Sequence, residues 1–106
     1  MAELTGEQLG RALAPYRELL ADFVGGGVAA AQFETNFLAR YKNDPTLWPT
    51  DVFDLLDAFF ADVDDYVSDP VLRSQVAGID EHQLLARARA RALLARLATW
   101  MPSAGK

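Results

Sequence analysis

DVFDLLDAFFADVDDYVSD, residues 51–69, is the stretch on which the reading of this chain turns. It holds seven aspartates (Asp51, Asp54, Asp57, Asp62, Asp64, Asp65 and Asp69) and no Lys, Arg or His. A helix turns about 100° per residue, so with Asp51 at zero the large apolar side chains from Leu55 to Phe53 occupy an arc of roughly 40–200°. Six of the aspartates occupy the remaining arc, roughly 220–380°. The spacing therefore predicts an amphipathic helix with a core face, expected to include Phe53, Leu56, Phe60 and Val63, and an outer face of negative charge. Stability accounts for the first face. It does not account for the second, because Asp is a weak helix former and a surface selected for stability alone would favour Glu, Lys or Gln.

Working outward, every segment that can be assigned is helical. Thr5 and Gln8 have capping-box spacing, and Leu9, Leu13, Tyr16, Leu20, Phe23 and Val24 continue one apolar face as far as Gly25-Gly26-Gly27. Pro15 lies inside that run, so the helix either kinks there or starts afresh with Pro15 in its first turn. A second helix over residues 29–43 carries Phe33, Phe37, Leu38 and Tyr41 on one stripe and stops at Asp44-Pro45. Trp48, in the following loop, is expected to fold back as a lid, and Thr50 or Asp51 to cap the acidic helix. Asp69-Pro70 marks a turn in a link with room for one short helical turn. Asp80 with Gln83 then opens a last helix expected to run unbroken to about residue 100. No strand alternation or hairpin signal occurs. The expected architecture is all-α, an antiparallel four-helix bundle forming one domain over residues 1–106 with its core in about 5–100.

Charge is unevenly placed. Residues 1–43 carry five acids and four bases, residues 44–82 ten acids and one base (Arg73), and residues 83–106 five bases and no acid, for a net charge of −5. An acidic surface repels nucleic acid and attracts a basic protein, which also speeds their encounter. The arginines of the last helix read as bundle surface that pairs in part with acids on neighbouring helices. Direct nucleic-acid binding is not expected. The chain has no Cys, no signal-peptide pattern and no apolar run long enough for a membrane span, which points to a cytoplasmic protein without a membrane partner.

Aspartate clusters invite a metal reading. A calcium loop starting at Asp62 fails at Tyr66, Val67 and Arg73, and a di-metal carboxylate bundle needs Glu-x-x-His pairs where this chain has the single His82. Serine occurs only at positions 68, 74 and 103, outside any Gly-x-Ser-x-Gly turn, and no phosphate-binding glycine loop follows a strand. No catalytic residue, metal or cofactor is expected.

Three runs carry a resemblance. F-x-x-x-F-L-x-x-Y-K-x-D-P (residues 33–45), F-D-x-L-D-x-x-F-x-D-V-D-x-Y-x-x-D-P-x-L-R (residues 53–73) and I-D-E-x-x-L (residues 79–84) occur in this order. Together they resemble the bacterial self-protective, colicin D-type immunity proteins over residues 14–98. The resemblance implies an antiparallel four-helix bundle without enzymatic activity. It also implies an inhibitor that covers the basic active site of a tRNA-cutting toxin domain with acidic side chains. Asp54, Asp57, Asp62, Asp64, Asp69, Asp80 and Glu81 are the acids within the matching runs, and Asp65 extends their face. Asp69 and Asp80 also read as turn and cap residues, and Asp57 and Asp64 could pair with Arg73 or with an arginine of the last helix. The expected toxin contacts are Asp54, Asp57, Asp62, Asp64, Asp65 and Glu81. The alternative is a helical adaptor or oligomerisation module with an acidic protein-binding surface. Homodimerisation stays open.

Overall fold

The computed structural model describes residues 5–100. They form six helices: α1 (Gly6–Val24), α2 (Ala30–Lys42), α3 (Thr50–Asp64), α4 (Pro70–Val76), α5 (Glu81–Ala90) and α6 (Leu93–Thr99). α1 packs on α2, α5 and α6, while α3 is held between α2 and α5. One cluster of buried side chains draws on every helix except α4. Its centre is aromatic: Tyr16, Phe33, Phe37 and Phe59 are fully buried, Phe23 stacks on Phe33 with centroids 4.6 Å apart, and Phe37 meets Phe59 edge-on at 5.4 Å.

The helix ends follow local chemistry. Thr5 with Gln8 and Asp80 with Gln83 both form capping boxes, with all four side-chain bonds at 2.8–3.0 Å. α1 runs continuously through Pro15 and does not start afresh there. Gly26, at φ +83°, turns the chain out of α1. The cap expected of Thr50 or Asp51 is not made: Thr50 is already the first residue of α3, and Pro49 precedes it without a side-chain cap. The 68–78 link holds more helix than expected, a seven-residue α4 capped by Asp69, whose Oδ1 accepts the Val71 N–H at 2.9 Å. A parallel bridge between Tyr66 and Ile79 then closes the link. Gly78 permits that approach, since a Cβ there would lie 2.5 Å from Val67 Cγ2.

The last helix is broken where a single helix was expected. Ala92 sits at φ +51° between α5 and α6. The reason lies in the phase of the apolar residues. With Leu84 at zero, Ala88 falls at roughly 40°, but Leu93 and Leu97 fall at roughly 180° and 220° on an unbroken helix. An unbroken helix would bury one pair and expose the other. All four are buried, and the left-handed residue supplies the change of phase.

Candidate functional site

α3 places its aspartates in two different environments. Asp54, Asp57 and Asp64, with Asp65 just past the helix end, are exposed. Asp62 is not: it is 5% exposed. The expectation that it lies on the outer face is corrected by a rotation of the buried arc. The residues α3 buries are Asp62, Leu55, Phe59, Val52, Val63 and Leu56, at roughly 20–140° on the same scale, so the apolar arc is wider than the surface covered. Phe53, at its far edge, is 46% exposed, which corrects its expected place in the core.

Asp62 takes its partners from the arginine-rich segment. Arg91 donates to it through Nε and, at 3.2 Å, through Nη2; Arg87 Nη1 donates at 3.2 Å. The same Arg87 nitrogen reaches Asp65 Oδ2 at 3.1 Å. The hydrogen bond to Asp62 raises Arg91 above its usual range. These bonds satisfy a buried carboxylate within the fold. They also bear out the expected pairing of arginines in this segment with acids of a neighbouring element.

Glu81 has structural work as well. α2 begins at Ala30, behind an N-cap, Ala29, that offers no capping side chain, and Glu81 Oε2 accepts the free Ala30 N–H at 2.8 Å from 51 residues downstream. Arg73 does not pair with Asp57 or Asp64. Its Nε donates to the Val67 carbonyl at 2.8 Å and its Nη2 to the Ser68 carbonyl at 3.2 Å, which clamps the loop after α3.

Some of the acids without a salt bridge lie along the seam between α2 and α3. Phe53, Asp57, Phe60 and Asp64 are spaced i, i+4, i+7, i+11 on α3; Glu34, Leu38 and Tyr41 are spaced i, i+4, i+7 on α2. Tyr41 and Phe60 meet across the seam at 5.2 Å. Burial, and then the charge of Asp57, raises the Tyr41 hydroxyl. Burial, and then the charge of Asp64, raises Glu34. At the C-terminal end of α3, Tyr66 is raised by its burial and then by Glu81 and Glu34. Among the described residues no salt bridge reaches Glu34, Asp54, Asp57 or Asp64. Glu34 was absent from the expected site. Its signal was its position on one helical line with Leu38 and Tyr41, the flank of α2 that meets α3.

The other end of the seam is aromatic. Trp48 folds back as expected and packs edge-on against Tyr16 at 5.9 Å. Tyr16 is wholly buried and donates to Asp44 Oδ2 at 2.7 Å. Burial, followed by that bond, lifts Tyr16 far above the usual phenol range. Burial works against charge on Asp44, but bonds from Thr46 and Tyr16 outweigh it and hold the carboxyl below its usual range.

Such an arrangement suits recognition of cations by several preplaced carboxylates beside exposed aromatic surface. Among the described residues no group of three acidic or His side chains is close enough to hold a metal ion, and no helix is long and apolar enough to cross a membrane. Comparison with curated proteins and with solved structures returned no match. A family model described as bacterial self-protective colicin-like immunity matches residues 12–97. That match takes in all six helices except the first turns of α1 and the end of α6, and with them every residue of the seam, so the chain belongs to the bacterial self-protective colicin-like immunity family.

Proposed function

We propose that this immunity protein neutralises a ribonuclease toxin domain, of the tRNA-cutting type, by laying the α2–α3 seam over its basic active site. The toxin would be bound stoichiometrically and kept from its RNA, with no chemistry performed by the inhibitor. In this reading α5 and α6 are the halves of the fourth helix of an antiparallel bundle, and its rigid packing holds the carboxylates in place. The carrying observation is the division of charge. Arg87 and Arg91 neutralise Asp62 and Asp65 internally, while Glu34, Asp54, Asp57 and Asp64 carry no internal salt bridge among the described residues. After burial, the like charge of Asp64 disfavours the charged form of Glu34, and a Lys or Arg placed between them relieves that repulsion on binding. A ribonuclease active site offers such cations around the phosphate it cleaves. Charge-assisted pairs at the centre of the interface set the dissociation rate, and acids outside that centre mainly steer association. Of the six contacts expected from sequence, Asp54, Asp57 and Asp64 are the proposed centre, Asp65 and Glu81 contribute from partly committed positions, and Asp62 acts through the fold.

The test is co-expression with a candidate ribonuclease toxin, sought first in the genes adjacent to this one, followed by titration of the purified toxin domain. Wild type should restore growth. The variant D54N/D57N/D64N should keep its helicity, bind at least about tenfold more weakly, and show a shallower dependence of affinity on salt. Unchanged affinity in the triple variant would remove the seam from the interface. Failure of wild type to protect would remove the ribonuclease target.

A further inference from the structure

At the aromatic end of the seam a cavity of about 390 Å³ is lined by Tyr41, Asp44, Thr46, Leu47, Trp48 and Phe53. It stands at the lower end of the roughly 300–1,000 Å³ range of ligand pockets, with room for one long side chain rather than a helix. Its mouth is open: Phe53 is 46% and Leu47 77% exposed. Its walls are braced from behind. Trp48 rests on buried Tyr16, and Tyr41 stacks on buried Phe37 at 5.9 Å. Asp44 is fixed by three donors, Tyr16 Oη, Thr46 N and Thr46 Oγ1. A carboxylate accepts about four hydrogen bonds, so one position remains for a donor arriving from the cavity. Asp57, one turn beyond Phe53, adds negative charge beside Tyr41.

Arg40 offsets part of the Asp44 charge, but an apolar occupant would leave the remaining acceptor position of Asp44 and the charge of Asp57 unused. Three aromatic rings with one low-lying carboxylate suit a cation that is weakly hydrated and planar, which stacks as well as donates. We propose that the cavity receives one arginine side chain of the toxin, taken from the rim of its basic active site, and so serves as the anchor that sets the register of the acidic seam. This rests on the reading above that the partner is a basic toxin domain.

Phe53 provides the test because it is partly exposed and can be changed without removing core. Binding of the candidate toxin domain found by the co-expression test would be measured by calorimetry for wild type, F53W and F53L, with circular dichroism as the check on folding. F53W keeps an aromatic face and should bind within about threefold of wild type. F53L keeps apolar bulk without the face and should bind roughly tenfold more weakly, the scale of one desolvated cation–π contact. One toxin Arg→Ala substitution should abolish the difference between wild type and F53L. If F53L binds like wild type, or if the coupled toxin residue is apolar, the arginine proposal is overturned while the immunity reading stands. If F53L instead turns a sedimenting dimer into a monomer, the occupant is a second copy of this chain, and the proposal again fails. If wild type binds no toxin domain, the reading of the partner fails first and takes the cavity's occupant with it.

Discussion

Replacing Asp62 by Asn separates an architectural acid from a binding one. The substitution keeps shape and removes charge. Asp62 accepts three bonds from two guanidinium groups, and Asn would turn donor hydrogens towards some of them. A hydrogen bond to a charged group contributes about 1.5–3 kcal/mol, but the three are not additive. The arginine side chains are 34% and 41% exposed, so they regain water when released and the loss falls short of that for a fully buried pair. The expected net cost is about 2 kcal/mol, equivalent to a fall in melting temperature of roughly 8–16 °C for a domain near 100 residues. Urea unfolding followed by circular dichroism measures it, with D54N, exposed and without a salt bridge, expected within about 0.5 kcal/mol of wild type. Toxin affinity of D62N, measured where the protein is folded, should stay close to wild type. A loss below about 0.5 kcal/mol, or unchanged stability with tenfold weaker binding, would refute the assignment and return Asp62 to the interface.

Two further outcomes follow from the same physics. A92G should stabilise the protein by about 0.5–1 kcal/mol, because glycine adopts φ +51° without strain; a loss of similar size in thermal unfolding, as glycine causes inside a helix, would mean that α5 and α6 are one helix. The Tyr16–Asp44 pair should make stability depend on pH at both extremes. Asp44 is lowered in the fold, so its contribution is present above the usual carboxylate range and lost as pH falls through its folded value. Tyr16 is raised, so its contribution is complete below about pH 10 and lost as pH climbs further. Y16F should cost about 1–2 kcal/mol near neutrality and flatten both limbs of the curve, and unchanged limbs in urea titrations across pH would show that the pair does not carry them.

Much of this fold could be read because its signals are local. Thr5 with Gln8 and Asp80 with Gln83 name their helix starts through contacts three residues apart, and the glycines after Val24 name a stop. What escaped depends on tertiary packing. Ala92 carries no breaker chemistry; only the half-turn shift between Leu84-Ala88 and Leu93-Leu97 signals the break, and it matters because α1 covers both halves. Asp62 lies beside Leu55 on the helix, and whether the covered arc stops before it or includes it depends on where α5 sets Arg87 and Arg91. The capping of α2 by Glu81 had no local sign beyond the absence of a capping residue at Ala29.

On the proposed mode of binding, the arginine-rich segment bears on recognition through its hold on Asp62. Without Arg87 and Arg91, the Asp62 carboxylate would be buried without a cation, and α3 could lower its energy by rolling that side chain towards solvent. Such a roll would turn Phe53, at the opposite edge of the buried arc, towards the core and shift the two aligned stripes of the seam. On the proposed mode of binding, the basic helix would fix the rotation of α3 about its own axis and with it the aspartates turned towards the toxin. It follows that substitutions at Arg91 should weaken toxin binding through the orientation of α3, and that D62L, which removes the buried charge along with the need for a cation, should recover part of the binding lost in R91A. Recovery in the D62L/R91A pair, measured as affinity for the toxin domain, marks an orienting role. If the two substitutions simply add, Arg91 stabilises the fold but does not set the face that α3 presents.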